Sequence, residues 1–302
     1  MKAGYVLFLL VLAASACQPG GKAGTQPLAS RPATAEVDST AQTAAADLAW
    51  KVADSLRRNN PLQLPPLGPT DTLAAADYEL LRSHDFSILW CAQNFKRQMH
   101  SPMEGFYGPT HYRISVYFDQ VWRDSLRLDR YLVCGRDRYH KVITPFCGTI
   151  TVQSIVQAKL DVDNSYQPTD SVRTFVVRAI YKFIEDPATK GAGIYRGEAQ
   201  LDAYEDQHGQ LRLADIYGTS YNPTGGGGVL FRGDWTDNLT GRRRPAAWAA
   251  NLEAVAPQPV MEEQQAGGRV GDVDPILARL GWNEFWENDE WWAKSSKPKL
   301  RL

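Results

Sequence analysis

The feature that most constrains this fold is an alternation of apolar and polar residues that recurs between residues 105 and 250. In the first such segment, Tyr112, Ile114, Val116 and Phe118 alternate with mostly polar residues. The other segments begin at Thr149, Val172, Ile194 and Val229. Successive side chains of a β-strand leave the backbone on opposite faces, whereas a helix needs apolar residues three and four positions apart. The alternation therefore predicts five strands that each bury one face.

The connections between these segments favour antiparallel pairing. Residues 185–193 and 206–209 are short, contain glycine and lack the helical pattern that a parallel crossover would need. Weaker strand patterns bring the count to about eight, and they cover Tyr131–Gly135, Arg138–Ile143, Leu211–Tyr217 and Arg243–Trp248. A twisted sheet of that size curls or closes, which removes its exposed edges. We therefore predict a mainly β fold, an antiparallel barrel of about eight strands or a curled sandwich, with short N- and C-terminal helices.

Composition divides the chain into segments around this barrel. The predicted divisions are a lipoprotein signal peptide and lipobox (1–17), a disordered tether (18–45), a helical N-terminal segment (46–104), the β-barrel domain (105–250), a linker (251–271), a Trp-rich C-terminal helix (272–293) and a basic tail (294–302). The tether is rich in small and polar residues and cannot bury enough apolar surface to become ordered. Because Trp282, Phe285 and Trp286 share one helical face, docking on the barrel exterior or at one of its ends is favoured over contact with a partner or a membrane interface.

The first residues have the pattern of an exported protein. An early lysine is followed by an apolar run from Tyr5 to Ala14, which suits a secretory signal better than a membrane-spanning helix. The sequence Ala14-Ser-Ala-Cys17 resembles the lipobox of bacterial lipoproteins, in which the cysteine is acylated. We therefore predict that Cys17 carries palmitate or a similar acyl chain. This anchor would hold the protein to a membrane of the cell envelope, the outer membrane with a periplasmic or surface face. The alternative is a plain signal peptide cut near Ala16.

Three further cysteines bear on structure rather than on chemistry. They are Cys91, Cys134 and Cys147. An exported protein can form disulfides, and Cys134–Cys147 is the favoured pair because it would join neighbouring strands. The odd count leaves one thiol over. Since no two cysteines have the close spacing of zinc ligands, no metal site is predicted.

An acidic residue at an inward position marks a candidate binding site. If Leu211 and Leu213 face the core, Asp215 and Tyr217 face it as well. A buried aspartate needs a partner, which can be an arginine inside the fold or a ligand, and the alternative is that Asp215 lies at the rim of the barrel. The predicted ligand-binding residues inside the barrel are Tyr112, Tyr195, Asp215, Tyr217 and Trp235.

These features favour a membrane-tethered module that binds a small apolar molecule. The alternative is a structural component of the envelope that holds a protein partner. A hydrolase ranks third, because no catalytic motif is evident and no catalytic residue or cofactor is assigned. The formal net charge of −1 argues against a nucleic-acid partner, which would need a clustered basic surface.

Five short segments resemble those of uncharacterised envelope lipoproteins from Gram-negative bacteria. They are Gly105-Phe-Tyr-Gly108, Tyr112-Arg-Ile114, Phe146-Cys-Gly-Thr-Ile-Thr-Val152, Gly228-Val-Leu-Phe-Arg-Gly-Asp-Trp235 and Gly281-Trp-Asn-Glu-Phe-Trp286. The barrel of this group is similar in outline to lipocalin-like proteins. The resemblance implies a barrel that binds small apolar ligands in its lumen, and it brings no known activity.

Overall fold

The computed structural model describes residues 73–92, 101–162, 172–216, 221–256, 275–286 and 290–293. Its strands are β1 (Met103–Tyr107), β2 (Tyr112–Arg123), β3 (Arg130–Tyr139), β4 (Val142–Gln157), β5 (Arg173–Glu185), β6 (Gly193–Glu205), β7 (Leu211–Leu213), β8 (Val229–Asp237) and β9 (Arg243–Ala249). Its α-helices are α1 (Ala75–Ser83), α2 (Ser87–Trp90) and α3 (Pro275–Arg279), and two 3₁₀ helices span Leu252–Ala254 and Trp282–Trp286.

Eight of these strands form a closed antiparallel barrel. The strand order is β5-β4-β3-β2-β1-β9-β8-β6, and β5 also pairs with β6, which closes the ring. The short β7 is an extra strand that pairs with residues 203–205 of β6, beyond the stretch 193–201 that pairs with β8. The fold class predicted from the sequence is confirmed, and of its two alternatives the closed barrel is the correct one. Closure gives each barrel strand a neighbour on both sides.

The two ends of the barrel differ in their connections. One end carries the turns at 108–111, 140–141, 186–192 and 238–242, and we call it the hairpin end. At the opposite end, Arg123 of β2 donates to the carbonyl oxygens of Leu81 and His84, so α1 and α2 pack there. We call this the helix end. The side chains of Phe86 and Trp90 are buried in the barrel core at this end.

Aromatic rings fill the centre of the barrel. Phe118 of β2 contacts Phe183 of β5, with ring centroids 5.4 Å apart, and Phe231 of β8, at 5.5 Å. Trp248 of β9 stacks on Phe231 at 5.3 Å, and Trp90 from the helix end approaches Phe231 at 6.1 Å. Since β2, β5 and β8 are not neighbours in the sheet, these rings meet across the lumen. The centre is therefore a packed core.

The C-terminal segment lies on the outside of β1 and β2. Trp282 is fully buried there, and its indole Nε1 donates to the carbonyl oxygen of His111 at 3.4 Å. The backbone N–H of Arg113 donates to the carbonyl oxygen of Leu280 at 2.8 Å. Where one C-terminal helix was predicted, the described residues form the short α3 followed by a 3₁₀ turn. Within the described residues, no helix combines the length and the hydropathy needed to cross a membrane.

Two predicted segment boundaries are also adjusted. β1 begins at Met103, inside the range assigned to the helical N-terminal segment. In the predicted linker, Leu252–Ala254 forms a 3₁₀ helix, and Leu252 packs with Leu277 of α3. Leu252 also packs with Phe106 on the outer face of β1, so the first residues of the predicted linker are ordered against the barrel.

Candidate functional site: a buried carboxyl pair at the hairpin end

Two acidic side chains lie inside the barrel at the hairpin end. Asp137 follows Tyr131 and Val133 on the inward face of β3, and Glu185 follows Phe183 on the inward face of β5. Asp137 is only 2% exposed and Glu185 only 4%. Burying a carboxyl group is costly unless hydrogen bonds replace its contacts with water. The partners of this pair therefore decide what it can do.

Glu185 has two donors from the strands next to it. Its Oε2 atom accepts hydrogen bonds from the indole Nε1 of Trp235, at 2.8 Å, and from the backbone N–H of Gly193. A Cβ atom at position 193 would lie 2.3 Å from the indole ring of Trp235. Only glycine therefore lets β6 begin this close to the tryptophan and to the carboxylate. These two hydrogen bonds fix the position of the Glu185 carboxyl group at the start of β6.

The pKa of Asp137 is shifted upward by its surroundings. Burial, and then the charge of the neighbouring Glu185 carboxylate, raise the pKa of Asp137 well above its usual range. Its Oδ2 atom is buried and receives no hydrogen bond from any donor in the described part of the chain. A proton on Asp137 that is donated to Glu185 accounts for both observations. Asp137 therefore keeps its proton to a higher pH than an ordinary aspartate does.

Aromatic side chains and one arginine surround this pair. The ring of Tyr107 lies 4.6 Å from that of Tyr139 and 5.5 Å from that of Trp235, measured between centroids. The guanidinium carbon of Arg244 is 5.5 Å from the centroid of Tyr107 and 5.9 Å from that of Trp235. Arg244 also hydrogen-bonds to the side chains of Tyr107 and Tyr139, and burial raises the pKa of both phenols. The tyrosines are therefore neutral, and they fix the position of the guanidinium.

The predicted ligand-binding residues are divided between the two ends of the barrel. Tyr195 and Trp235 are buried in the core, and Tyr195 lies close enough to both acids for their charges to raise its pKa further. Tyr112 lies at the rim of the same end and stacks on His140, at 3.7 Å between ring centroids. Asp215 follows the end of β7, is half-buried and contacts the region of Gly228, at the helix end. Tyr217 lies outside the described residues.

Sequence reasoning did not identify five residues of this cluster. They are Tyr107, Asp137, Tyr139, Glu185 and Arg244. A sequence signal was present for the two acids, because each lies two residues beyond the last inward-facing position predicted for its strand. The two acids lie on β3 and β5, which flank β4 in the sheet, so they are brought together by the register and curvature of three strands and not by a local sequence pattern.

The cysteines have no chemical role in this site. Cys134 and Cys147, which face each other on β3 and β4, form a disulfide. Among the described cysteines Cys91 is the free thiol, and burial raises its pKa to about 12, so it is a poor nucleophile. Among the described residues, no group of three or more His, Cys, Asp or Glu side chains could hold a metal ion.

Two other buried acids have structural roles outside the barrel. Glu104 pairs with Arg113 at 2.8 Å and accepts from the hydroxyl of Ser115, beneath the C-terminal segment. Asp202 accepts hydrogen bonds from the backbone and the hydroxyl of Thr224, which fixes the glycine-rich loop at 225–228 against β6. Burial raises the pKa of Asp202 to about 7. Glu104 joins two neighbouring strands on the outer face and Asp202 joins a loop to β6, whereas Asp137 and Glu185 face inward.

The closed eight-stranded antiparallel barrel is compatible with a lipocalin-like fold. Comparisons with protein-family models, with curated proteins and with solved structures gave no match to this chain.

Proposed function

We propose that this protein is a cell-envelope lipoprotein, anchored to a membrane through Cys17, whose barrel binds a small molecule at the hairpin end. The observation that carries the binding proposal is the buried carboxyl pair of Asp137 and Glu185 beside Arg244, a guanidinium with no described carboxylate within ion-pair distance. Charged and hydrogen-bonding groups inside a small barrel lower its stability compared with apolar packing. Their concentration at one end, together with a strongly shifted pKa, is typical of a ligand site.

The hairpin end is a better location for the ligand than the middle of the lumen. The middle is occupied by aromatic rings in contact with each other, and the helix end is occupied by Trp90. The sequence led us to expect an apolar ligand in the lumen. The arrangement of groups instead supports a ligand that contacts aromatic rings on one side and polar groups on the other.

Binding can be tested on the full-length protein in detergent, using the indole N–H signals of its tryptophans in NMR spectra. A library of small fragments is added, and the signal of Trp235 is identified with the Trp235→Phe variant. We expect saturable binding that shifts Trp235, because its Nε1 donates to Glu185 within the site. The matched control is Trp122, which is 38% exposed on β2 and should not shift.

Two outcomes of this screen would contradict the proposal. Fragments that shift Trp122 but never Trp235 would show only surface binding. Fragments that shift Trp248 instead would place the site in the centre of the barrel, where Trp248 Nε1 and Tyr181 Oη are buried and lack a partner among the described residues.

The anchor is tested separately, by mass spectrometry of the protein purified from membranes and by a Cys17→Ser variant. We expect an acylated Cys17 in the wild-type protein and recovery of the variant in the soluble fraction, because the acyl chains supply the membrane affinity. A mature protein with an unmodified Cys17 would remove the lipoprotein part of the proposal and leave the binding part unaffected.

A further inference from the structure

Arg244 is the strongest indication of what the site binds. It is the last of three consecutive arginines, and it faces Trp235 across the β8–β9 pair. Its neighbour Arg243 is exposed and forms an ion pair with Asp234 at 2.5 Å. Arg244 is half-buried, and no carboxylate among the described residues lies within ion-pair distance of it. Asp237 interacts with it only at longer range.

The guanidinium of Arg244 is positioned but not neutralised. Two tyrosine side chains hydrogen-bond to it and two aromatic rings flank it, so its orientation is set before any ligand arrives. Its Nε atom is buried without an acceptor in the described chain. A buried donor with no acceptor is unfavourable, and an ionised acceptor would relieve that cost. A fixed, planar guanidinium matches the two oxygens of a carboxylate or of a phosphate.

The carboxyl pair does not supply this acceptor. Glu185 Oε2 already accepts from Trp235 and Gly193, and the shared proton of Asp137 occupies the remaining contact between the two acids. The guanidinium of Arg244, with its Nε donor still without an acceptor in the described chain, is therefore available to a ligand.

We propose that the ligand is a small organic anion, an inference that rests on the binding function proposed above. Its carboxylate or phosphate group binds the Arg244 guanidinium, and its apolar body lies against the rings of Tyr107 and Trp235. The rings contribute because a flat apolar group can stack on them next to the arginine.

The test uses three probes of similar size on the full-length protein: benzoate, phenyl phosphate and the neutral benzyl alcohol. Affinity is measured by NMR titration of the Trp235 indole signal. We expect an anionic probe to bind at least about tenfold more tightly than benzyl alcohol, since a hydrogen bond to a charged group contributes on the order of that factor. The comparison of benzoate with phenyl phosphate identifies which anionic group the site prefers.

Two variants separate the role of Arg244 from its general charge. Arg244→Gln should weaken the preferred anion by about tenfold or more and leave benzyl alcohol unchanged. Arg243→Gln removes the same charge from the neighbouring exposed position and should change neither affinity by more than about twofold. Arg244→Lys keeps the charge but loses the planar fork, so it should fall between the wild type and Arg244→Gln.

The outcomes distinguish this inference from the proposal on which it rests. If benzyl alcohol and the anions bind equally and Arg244→Gln changes nothing, the site is a binding site but not an anion site. If no fragment or probe shifts Trp235 at all, the binding function itself is wrong. Should Arg244→Gln fail to fold, the three probes on the wild-type protein and the Arg244→Lys variant still decide the question.

Discussion

The two ends of this barrel are built from the same strands, but the inward-facing side chains are apolar at one end and include charged groups at the other. At the helix end, Phe86 and Trp90 enter the lumen and continue the apolar core. At the hairpin end, the same inward positions carry Asp137, Glu185 and Arg244. A fold under selection for stability alone would fill both ends with apolar side chains. The difference therefore separates the part of the barrel that holds it together from the part available for binding.

The largest effect is expected at the helix end. Trp90 is fully buried and contacts Tyr131 and Phe231. Trp90→Ala should lower the free energy of unfolding by about 3–5 kcal/mol, because it removes a large ring and leaves a cavity. Urea unfolding followed by circular dichroism measures this loss. Trp122→Ala, at an exposed tryptophan, is the control and should cost under about 1 kcal/mol. Equal losses for the two variants would show that the helix end is not part of the core.

A smaller loss is expected where the hairpin end is most tightly packed. Gly193→Ala would place a methyl group 2.3 Å from the indole of Trp235 and 2.4 Å from the carbonyl oxygen of Thr236. The strands must shift to accept it, which should cost about 1–3 kcal/mol in unfolding free energy and move the fluorescence maximum of Trp235. Lys190→Ala, in the same turn and exposed, should stay within about 0.5 kcal/mol. An unchanged stability for Gly193→Ala would mean that this end is loosely packed.

The sequence predicted the barrel better than it predicted the site, for a physical reason. β2 and β6 were recognised because one face is apolar and the other mostly polar. β1 was missed because its outer residue Phe106 packs beneath the C-terminal segment, so both faces are largely buried and the alternation is lost. No local pattern distinguishes a strand covered on both sides from other short apolar runs.

The site residues were missed for the opposite reason. Asp137 and Glu185 are polar at positions where the alternation demands apolar side chains, so they read as the ends of strands. Their proximity depends on the register of β3 and β5 against the strand between them, β4, and it joins residues 48 positions apart in the chain. Tyr195 and Trp235 were identified because they are large and inward. Their partners could not be identified from strand patterns alone.

The pH dependence of stability is a more selective test of the carboxyl pair. The pKa of Asp137 is raised in the folded protein, so the folded state binds more protons than the unfolded state once the pH exceeds about 4. Asp137 therefore destabilises the fold increasingly as the pH rises toward its folded pKa. Asp137→Asn lacks this titration, and its stability relative to the wild type should increase with pH by up to about 1.4 kcal/mol per pH unit.

This difference is measured by urea unfolding of both proteins in steps from pH 4 to pH 8. Asp202, whose pKa is also raised, contributes equally to both and cancels in the comparison. The matched variant Asp202→Asn should show the same rising difference, but it should level off above about pH 7. A stability difference between Asp137→Asn and the wild type that does not change with pH would exclude a shared proton at the hairpin end.

The smallest effect is expected for Arg244, the residue proposed to contact the ligand. Arg244→Gln removes two cation–π contacts and hydrogen bonds to tyrosine hydroxyls, but it also removes the unpaired Nε donor. The net loss of stability should be about 0.5–1 kcal/mol without ligand, since a partly exposed cation–π contact contributes little. Arg243→Gln, which breaks an exposed ion pair, gives the baseline for losing one surface charge. A loss for Arg244→Gln as large as that for Trp90→Ala would show that the arginine holds the hairpin end together, and the distinction between a structural end and a binding end would then fail.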